Sequence, residues 1–289
     1  MLRHFNRSRS IWYRIEAVAA TTYAPISGMM MQLDLGNGVN LRYEIHGSGY
    51  PLILIVGFGA TLDLWSSDFV GPLAEFFQVI IFDNRGVGGS TAPEGRVSME
   101  LYAQDVIGLM DKLGLAKAHV LGISMGGMIA QQLAVSYPDR LSKLVLGATS
   151  CSAKFIRKNP RIVSLLVLKW APRVAMRALL SKDFIIAHPD LVDRLVQVSR
   201  AHPASALTIK RQSRAVKKYD LADSITAIAA PTLIMAGTDD QIINHENSDI
   251  LAAKIRSSRL IKYPGVGHIF PLERRAEAHT AIIKFLKAT

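Results

Sequence analysis

One serine in this chain sits where covalent chemistry is easiest to build. Gly122-Ile123-Ser124-Met125-Gly126 sets it between two glycines. The run before it, His119-Val120-Leu121, is apolar like a strand, and Met125–Tyr137 after it carries apolar residues at helical spacing until Pro138. A strand that reverses sharply into a helix strains its middle residue, and side chains at 122 and 126 are expected to collide with it, so glycine stands there. Ser124 is thereby pushed out at a strand's C-terminal end, beside a helix N-terminus that favours developing negative charge.

A serine hydroxyl is a weak nucleophile at neutral pH, so it needs a base, and the base needs an acid to fix its tautomer. Of eight histidines, His268 fits best: Pro264-Gly265-Val266-Gly267-His268 follows the last strand and precedes the last helix. His119 lies in the serine's own strand, His188, His202 and His279 in helical regions, and His46 at a hairpin end; His245 is a minor rival. No pair has metal-site spacing, and no cofactor is expected. The acid should follow a neighbouring strand, as Asp239 and Asp240 do after Thr232–Ala236; either could serve. Two backbone N–H groups must meet the developing oxyanion. Met125, just after the serine, supplies one, and Phe58 in Gly57-Phe58-Gly59 is chosen for the other.

These residues need a frame, and the pattern of elements supplies it. Met31–Leu35 and Val39–Ile45 flank Gly36-Asn37-Gly38, a hairpin signal. Leu52–Val56 and Val79–Phe82 read as strands buried on both faces, with a mostly helical Leu62–Phe77 between them. Ser98 should cap a helix that Gly114 ends, and Lys143–Leu146 is a strand. Strand and helix therefore alternate from residue 51 to 150, the signature of a parallel sheet covered by helices. Residues 151–228 break that rhythm with proline-punctuated helices. It resumes with strands at Thr232–Ala236 and Arg259–Lys262 and a final helix over Pro271–Lys287.

Composition bounds the rest. At 289 residues, 49% hydrophobic and 20% charged, the chain can hold one large domain with an insertion. Its apolar runs are too short to span a bilayer. The single cysteine, Cys151, allows no intrachain disulfide, which fits a reducing cytoplasm, and is expected to be buried and inert. The net charge of +11 is concentrated: residues 151–220 hold 15 Lys and Arg against 4 Asp and Glu. No nucleic-acid motif accompanies that charge. A solvated outer face is its favoured reading, ahead of attraction of an anionic substrate or contact with an anionic membrane surface. Residues 1–28 show no structural pattern and read as a disordered extension.

With the serine turn GISMGG, the FDNRGVGGS loop, the AGTDDQII loop and the PGVGH loop in this order, the chain resembles the α/β-hydrolase superfamily over about residues 31–289. The resemblance implies an α/β-hydrolase fold: a mostly parallel central sheet flanked by helices, formed by 29–150 and 229–289, with 151–228 as a helical cap. Leu165, Leu166, Leu168, Trp170 and Met176 would form the cap's apolar face, with Lys169, Arg173 and Arg177 recurring on another. The family pattern places the acid three residues after the loop glycine, which selects Asp240. It makes the Asp83/Arg85 loop structural. Val56 stands where many relatives carry histidine before Gly57, a change that leaves the backbone donor intact. The implied activity is cleavage of a small-molecule carboxylic ester through an acyl-enzyme on Ser124. A lactone, C–C bond or aminoacyl substrate, and a ligand-binding receptor that keeps the triad, are the alternatives; the oligomeric state is not legible.

Overall fold

The computed structural model describes residues 30–156 and 172–288. Eight strands form one sheet in the order β1-β2-β4-β3-β5-β6-β7-β8. The strands are β1 (Met31–Asp34), β2 (Asn40–His46), β3 (Tyr50–Ile55), β4 (Phe77–Phe82), β5 (Ala118–Ile123), β6 (Leu141–Gly147), β7 (Thr232–Gly237) and β8 (Ser258–Tyr263). β1 and β2 form the expected hairpin, Asp34 opposite Asn40, and β2 joins β4 antiparallel. All other pairings are parallel.

The continuous apolar runs explain the layering. Alternate residues of a strand face opposite sides, so a strand apolar throughout can be covered twice. In β3, Leu52 and Leu54 join one core with Val79 and Ile81, while Ile53 and Ile55 join the other with Ile80 and Phe82. The first core is closed by α1 (Ser67–Ala74) and by the last helix of the chain, Arg275–Lys287. The second is closed by α2 (Met99–Lys112) and α3 (Met125–Ser136). Leu52, Ile53, Leu54 and Ile55 are fully buried, each worth about 1.5–3 kcal/mol of transfer free energy. Cys151 is buried in the second core, and burial raises its thiol pKa.

Leu62–Phe77 is mostly helical, as expected, but in two pieces: a 3-10 turn at Leu62–Leu64 precedes α1, and Phe77 begins β4. Asp83 Oδ1 accepts the Leu62 N–H at 2.7 Å, and Ser66 is extended (φ −68°, ψ 155°), so the chain restarts before entering α1. The final helix is also split, because Arg274 leaves helical geometry (φ −126°, ψ 50°) between Phe270–Glu273 and Arg275–Lys287.

Between β6 and β7 the described elements are helical: α4 (Pro172–Leu179), α5 (Lys182–Ala187), α6 (Pro189–Ala201) and α7 (Ala206–Lys218). Ser181 and Ser205 cap α5 and α7, their side chains accepting N–H bonds from Phe184 and Thr208. Met176, Leu180, Leu191, Val192, Leu195 and Val196 form a separate small core that rests on Leu64, Ile269 and Leu272. Arg173 and Arg177 face solvent, and Arg173 grips Asp193 with two nitrogens at 2.5 and 2.6 Å. Leu165, Leu166, Leu168, Lys169, Trp170 and residues 1–28 lie outside the described residues. The chain then completes the frame with α8 (Glu246–Lys254), α9 (Phe270–Glu273) and α10 (Arg275–Lys287). Among the described residues, no helix is long and apolar enough to cross a membrane.

Two buried histidines make the fold acid-sensitive. His119 packs against the Tyr50 and Phe77 rings (centroids 4.6 and 6.0 Å), and His279 meets the Phe69 carbonyl at 2.9 Å. Burial, assisted by nearby Lys143 and Arg275 respectively, lowers both pKa values to about 4. Unfolded histidine titrates near about 6.5, so between roughly pH 6.5 and 4 the unfolded chain binds more protons. Stability from each group is complete above that window and falls as pH drops through it, by about 2 kcal/mol at pH 5. His119→Phe is expected to shrink the stability lost between pH 7.5 and pH 5, read by urea unfolding, by about 1–2 kcal/mol. An unchanged loss would show that His119 is not held neutral.

Candidate active site

Ser124 caps α3 with φ 58° and ψ −122°, a backbone region that L-residues rarely occupy. Main-chain bonds hold it there: its N–H donates to Gly147 O at 2.9 Å, and its carbonyl accepts Gly127 N–H and the Thr149 hydroxyl. The flanking glycines act differently from the sequence expectation. A Cβ on Gly122 would lie 2.3 Å from the Gly126 carbonyl oxygen, across the turn. A Cβ on Gly126 would lie 2.1 Å from Ile55 O. Glycine is therefore required by the backbone of the turn and of β3, not by the serine side chain.

Parallel strands place their C-terminal ends on one edge, where sites in such sheets form. β5, β7 and β8 deliver Ser124, Asp240 and His268 to that edge. His268 Nδ1 meets Asp240 Oδ2 at 2.7 Å, with side chains 5% and 0% exposed. Asp240 Oδ1 accepts the N–H groups of Ile242 and Ile243 at 2.8 and 2.9 Å. Every carboxylate oxygen of Asp240 is thus engaged, whereas Asp239 is exposed. The carboxylate draws the ring proton to Nδ1 and leaves Nε2 as the basic nitrogen. Phe270, two residues after His268, packs beside the end of β5: a Cβ on Gly147 would touch both its ring and Ile123. His245 Nδ1 instead lies 3.4 Å from Lys262 Nζ.

The loop after β3 covers the serine. A Cβ on Gly57 would lie 3.2 Å from Ser124 Cβ and 3.7 Å from its Oγ. Ala60 N–H donates to Gly57 O at 3.4 Å, and Gly59 has φ 66°, so Phe58 and Gly59 form the corner of a turn. The turn leaves the Phe58 N–H out of its own bond. Met125 opens α3, and its N–H has no carbonyl four residues back to bond. The Asp83 loop braces this region: Oδ2 accepts Gly89 N–H, Arg42 spans Asp63 and Asp83, and Arg85 grips Asp105. Burial raises the Asp83 carboxyl, while the Asp63 bond raises the Arg42 guanidinium.

Two contacts at this site have no local sequence signal. Gln212 of α7 accepts the Gly59 N–H at 2.7 Å. Glu273 accepts the N–H groups of Gly267 and Ser181 and the Ser181 hydroxyl, joining the histidine loop to α5's cap. Among the described residues, no group of three His, Cys, Asp or Glu side chains is placed to hold a metal ion.

The family described as "alpha/beta hydrolase fold" matches residues 50–179 and 173–274. The chain is 28% identical over 240 residues to "Putative carbamate hydrolase" of Azorhizobium caulinodans, covering 81% of this chain and 90% of that protein. It is 29% identical over 248 residues to poly(3-hydroxyalkanoate) depolymerase of Ectopseudomonas oleovorans, covering 82% and 84%. The enol-lactonase structure from Burkholderia xenovorans LB400 superposes with a TM-score of 0.78 at 26% identity, covering 87% and 98%.

Proposed function

Since the chain belongs to the alpha/beta hydrolase fold family, we propose that it is a serine hydrolase that cleaves small-molecule carboxylic esters through an acyl-enzyme on Ser124. The buried His268–Asp240 pair carries this reading, because a histidine whose Nδ1 proton is held by a carboxylate presents Nε2 as a base. Nε2 takes the Ser124 proton as Oγ attacks the acyl carbon. The Phe58 and Met125 N–H groups receive the oxyanion. The protonated imidazole then gives its proton to the departing alcohol. Water repeats the sequence on the acyl-enzyme and frees the acid. Residues 151–228 act as a cap over the serine, with 29–150 and 229–289 as the catalytic core. The carbamate, polyester and enol-lactone in the relatives' names each present a carbonyl carbon bonded to oxygen, which supports an ester-like substrate. A single buried cysteine fits a cytoplasmic enzyme.

A fluorophosphonate probe tests the chemistry without knowledge of the substrate. Stoichiometric labelling is expected, with the adduct mapped by mass spectrometry to the peptide that contains Ser124. No labelling would sink the reading and leave a receptor role. A panel of neutral and anionic esters, lactones, carbamates and aminoacyl amides then ranks substrates. Arg173 and Arg177 face solvent, so neutral short-chain esters are expected to turn over with kcat/KM insensitive to salt.

A further inference from the structure

α7 is built onto the loops that surround the serine. Its inner face carries Thr208 and Gln212, one helical turn apart. Thr208 donates its hydroxyl to the Gly86 carbonyl at 2.8 Å. Gln212, fully buried, accepts the Gly59 N–H at 2.7 Å. Ile209 closes the same contact, since a Cβ on Gly59 would lie 3.0 Å from its Cδ1. One side chain therefore ties the helical segment to the turn after β3.

We propose that Gln212 is a positioning residue for the oxyanion donor, an inference that rests on the serine-hydrolase reading. Gly59 follows Phe58 directly, and the two share a peptide plane. Holding the N–H of that plane, together with the Ala60–Gly57 turn bond, restricts the torsions at the Phe58 α-carbon and with them the direction of the Phe58 N–H. At the other end Asn84 Nδ2 donates to Val56 O at 3.2 Å. The donor loop is thus clamped on both sides, once from the sheet and once from the helical segment. An oxyanion hole needs its donors aimed before charge develops, so a side chain that fixes a neighbouring plane acts on the transition state more than on substrate binding.

Gln212→Met keeps the length and volume of the side chain and removes the acceptor; Gln212→Glu restores one; Thr208→Val removes the other bond of α7 and controls for general loosening. The readouts are kcat and KM for p-nitrophenyl butyrate and Ki for an aliphatic trifluoromethyl ketone, which forms a hemiketal oxyanion on the serine. Gln212→Met is expected to lower kcat by about 10- to 100-fold with KM within about threefold, and to raise Ki by a similar factor to the kcat loss. Gln212→Glu is expected to stay within about fivefold of the parent, and Thr208→Val within about threefold. The proposal is overturned if Gln212→Met keeps kcat within threefold, if its Ki stays at the parent value while kcat falls, or if Thr208→Val reproduces the loss. Should Gln212→Met fail to fold, Gln212→Glu carries the test, and a folded protein below a tenth of parental kcat overturns it. Fluorophosphonate labelling of the parent comes first: its absence refutes the serine-hydrolase reading, whereas labelling with an unaffected Gln212→Met refutes this inference alone.

Discussion

Ser124→Ala is expected to reduce kcat/KM for p-nitrophenyl butyrate by about 10⁴- to 10⁶-fold, the range seen when a nucleophile is removed from a serine triad. Alanine suits the position as a probe because the backbone is held by bonds it does not disturb. The Ser124 N–H to Gly147 O and the Thr149 hydroxyl to Ser124 O both involve main-chain atoms of residue 124. The positive φ of 58° strains alanine about as much as serine, since both carry a Cβ. Tm is therefore expected to stay within about 3 °C of the parent, so lost activity cannot be blamed on unfolding. Fluorophosphonate labelling should vanish with the activity. Turnover at the parental rate in a folded Ser124→Ala protein would remove Ser124 from the chemistry and leave the His268–Asp240 pair needing another nucleophile.

The parts of this site that were legible in the sequence are those written locally. GISMGG, AGTDDQII and PGVGH each combine a strand end with glycines and one reactive side chain, so each marks a candidate residue within a few positions. That the three lie on one edge of the sheet followed from strand alternation, because parallel strands must end on one edge. Asp239 and Asp240 could not be separated by such reasoning, as both follow β7. Burial and the bond to His268 distinguish them. Gln212 was beyond reach for a different reason: its partner, Gly59, is 153 positions away, and nothing in α7's own periodicity marks a glutamine as a clamp. The break inside the mostly helical Leu62–Phe77 stretch has the same origin. Asp83 captures the Leu62 N–H from another strand end, and a long-range bond overrides local helical preference.

Asp240→Asn should cost about 10³- to 10⁴-fold in kcat/KM, although it changes no heavy-atom position. The reason lies in how residue 240 is held. Its Oδ1 accepts two backbone N–H groups, from Ile242 and Ile243. An asparagine must present its oxygen to those donors, because an amide NH₂ there would face two N–H groups with nothing to accept. The NH₂ is then turned toward His268 Nδ1. It can only donate, so it stabilises the tautomer with the ring proton on Nε2. That nitrogen can no longer take the Ser124 proton, and the negative charge that stabilised the imidazolium is gone. The variant should fold normally, retain parental KM within about threefold, and react with fluorophosphonate at a rate reduced in proportion to kcat/KM. Asp239→Asn supplies the comparison: that side chain is exposed, and turnover within about twofold of the parent is expected. An Asp240→Asn protein that keeps more than a tenth of parental activity, or an Asp239→Asn protein that loses as much, would mean that the pair at 2.7 Å is a structural contact rather than the base's partner.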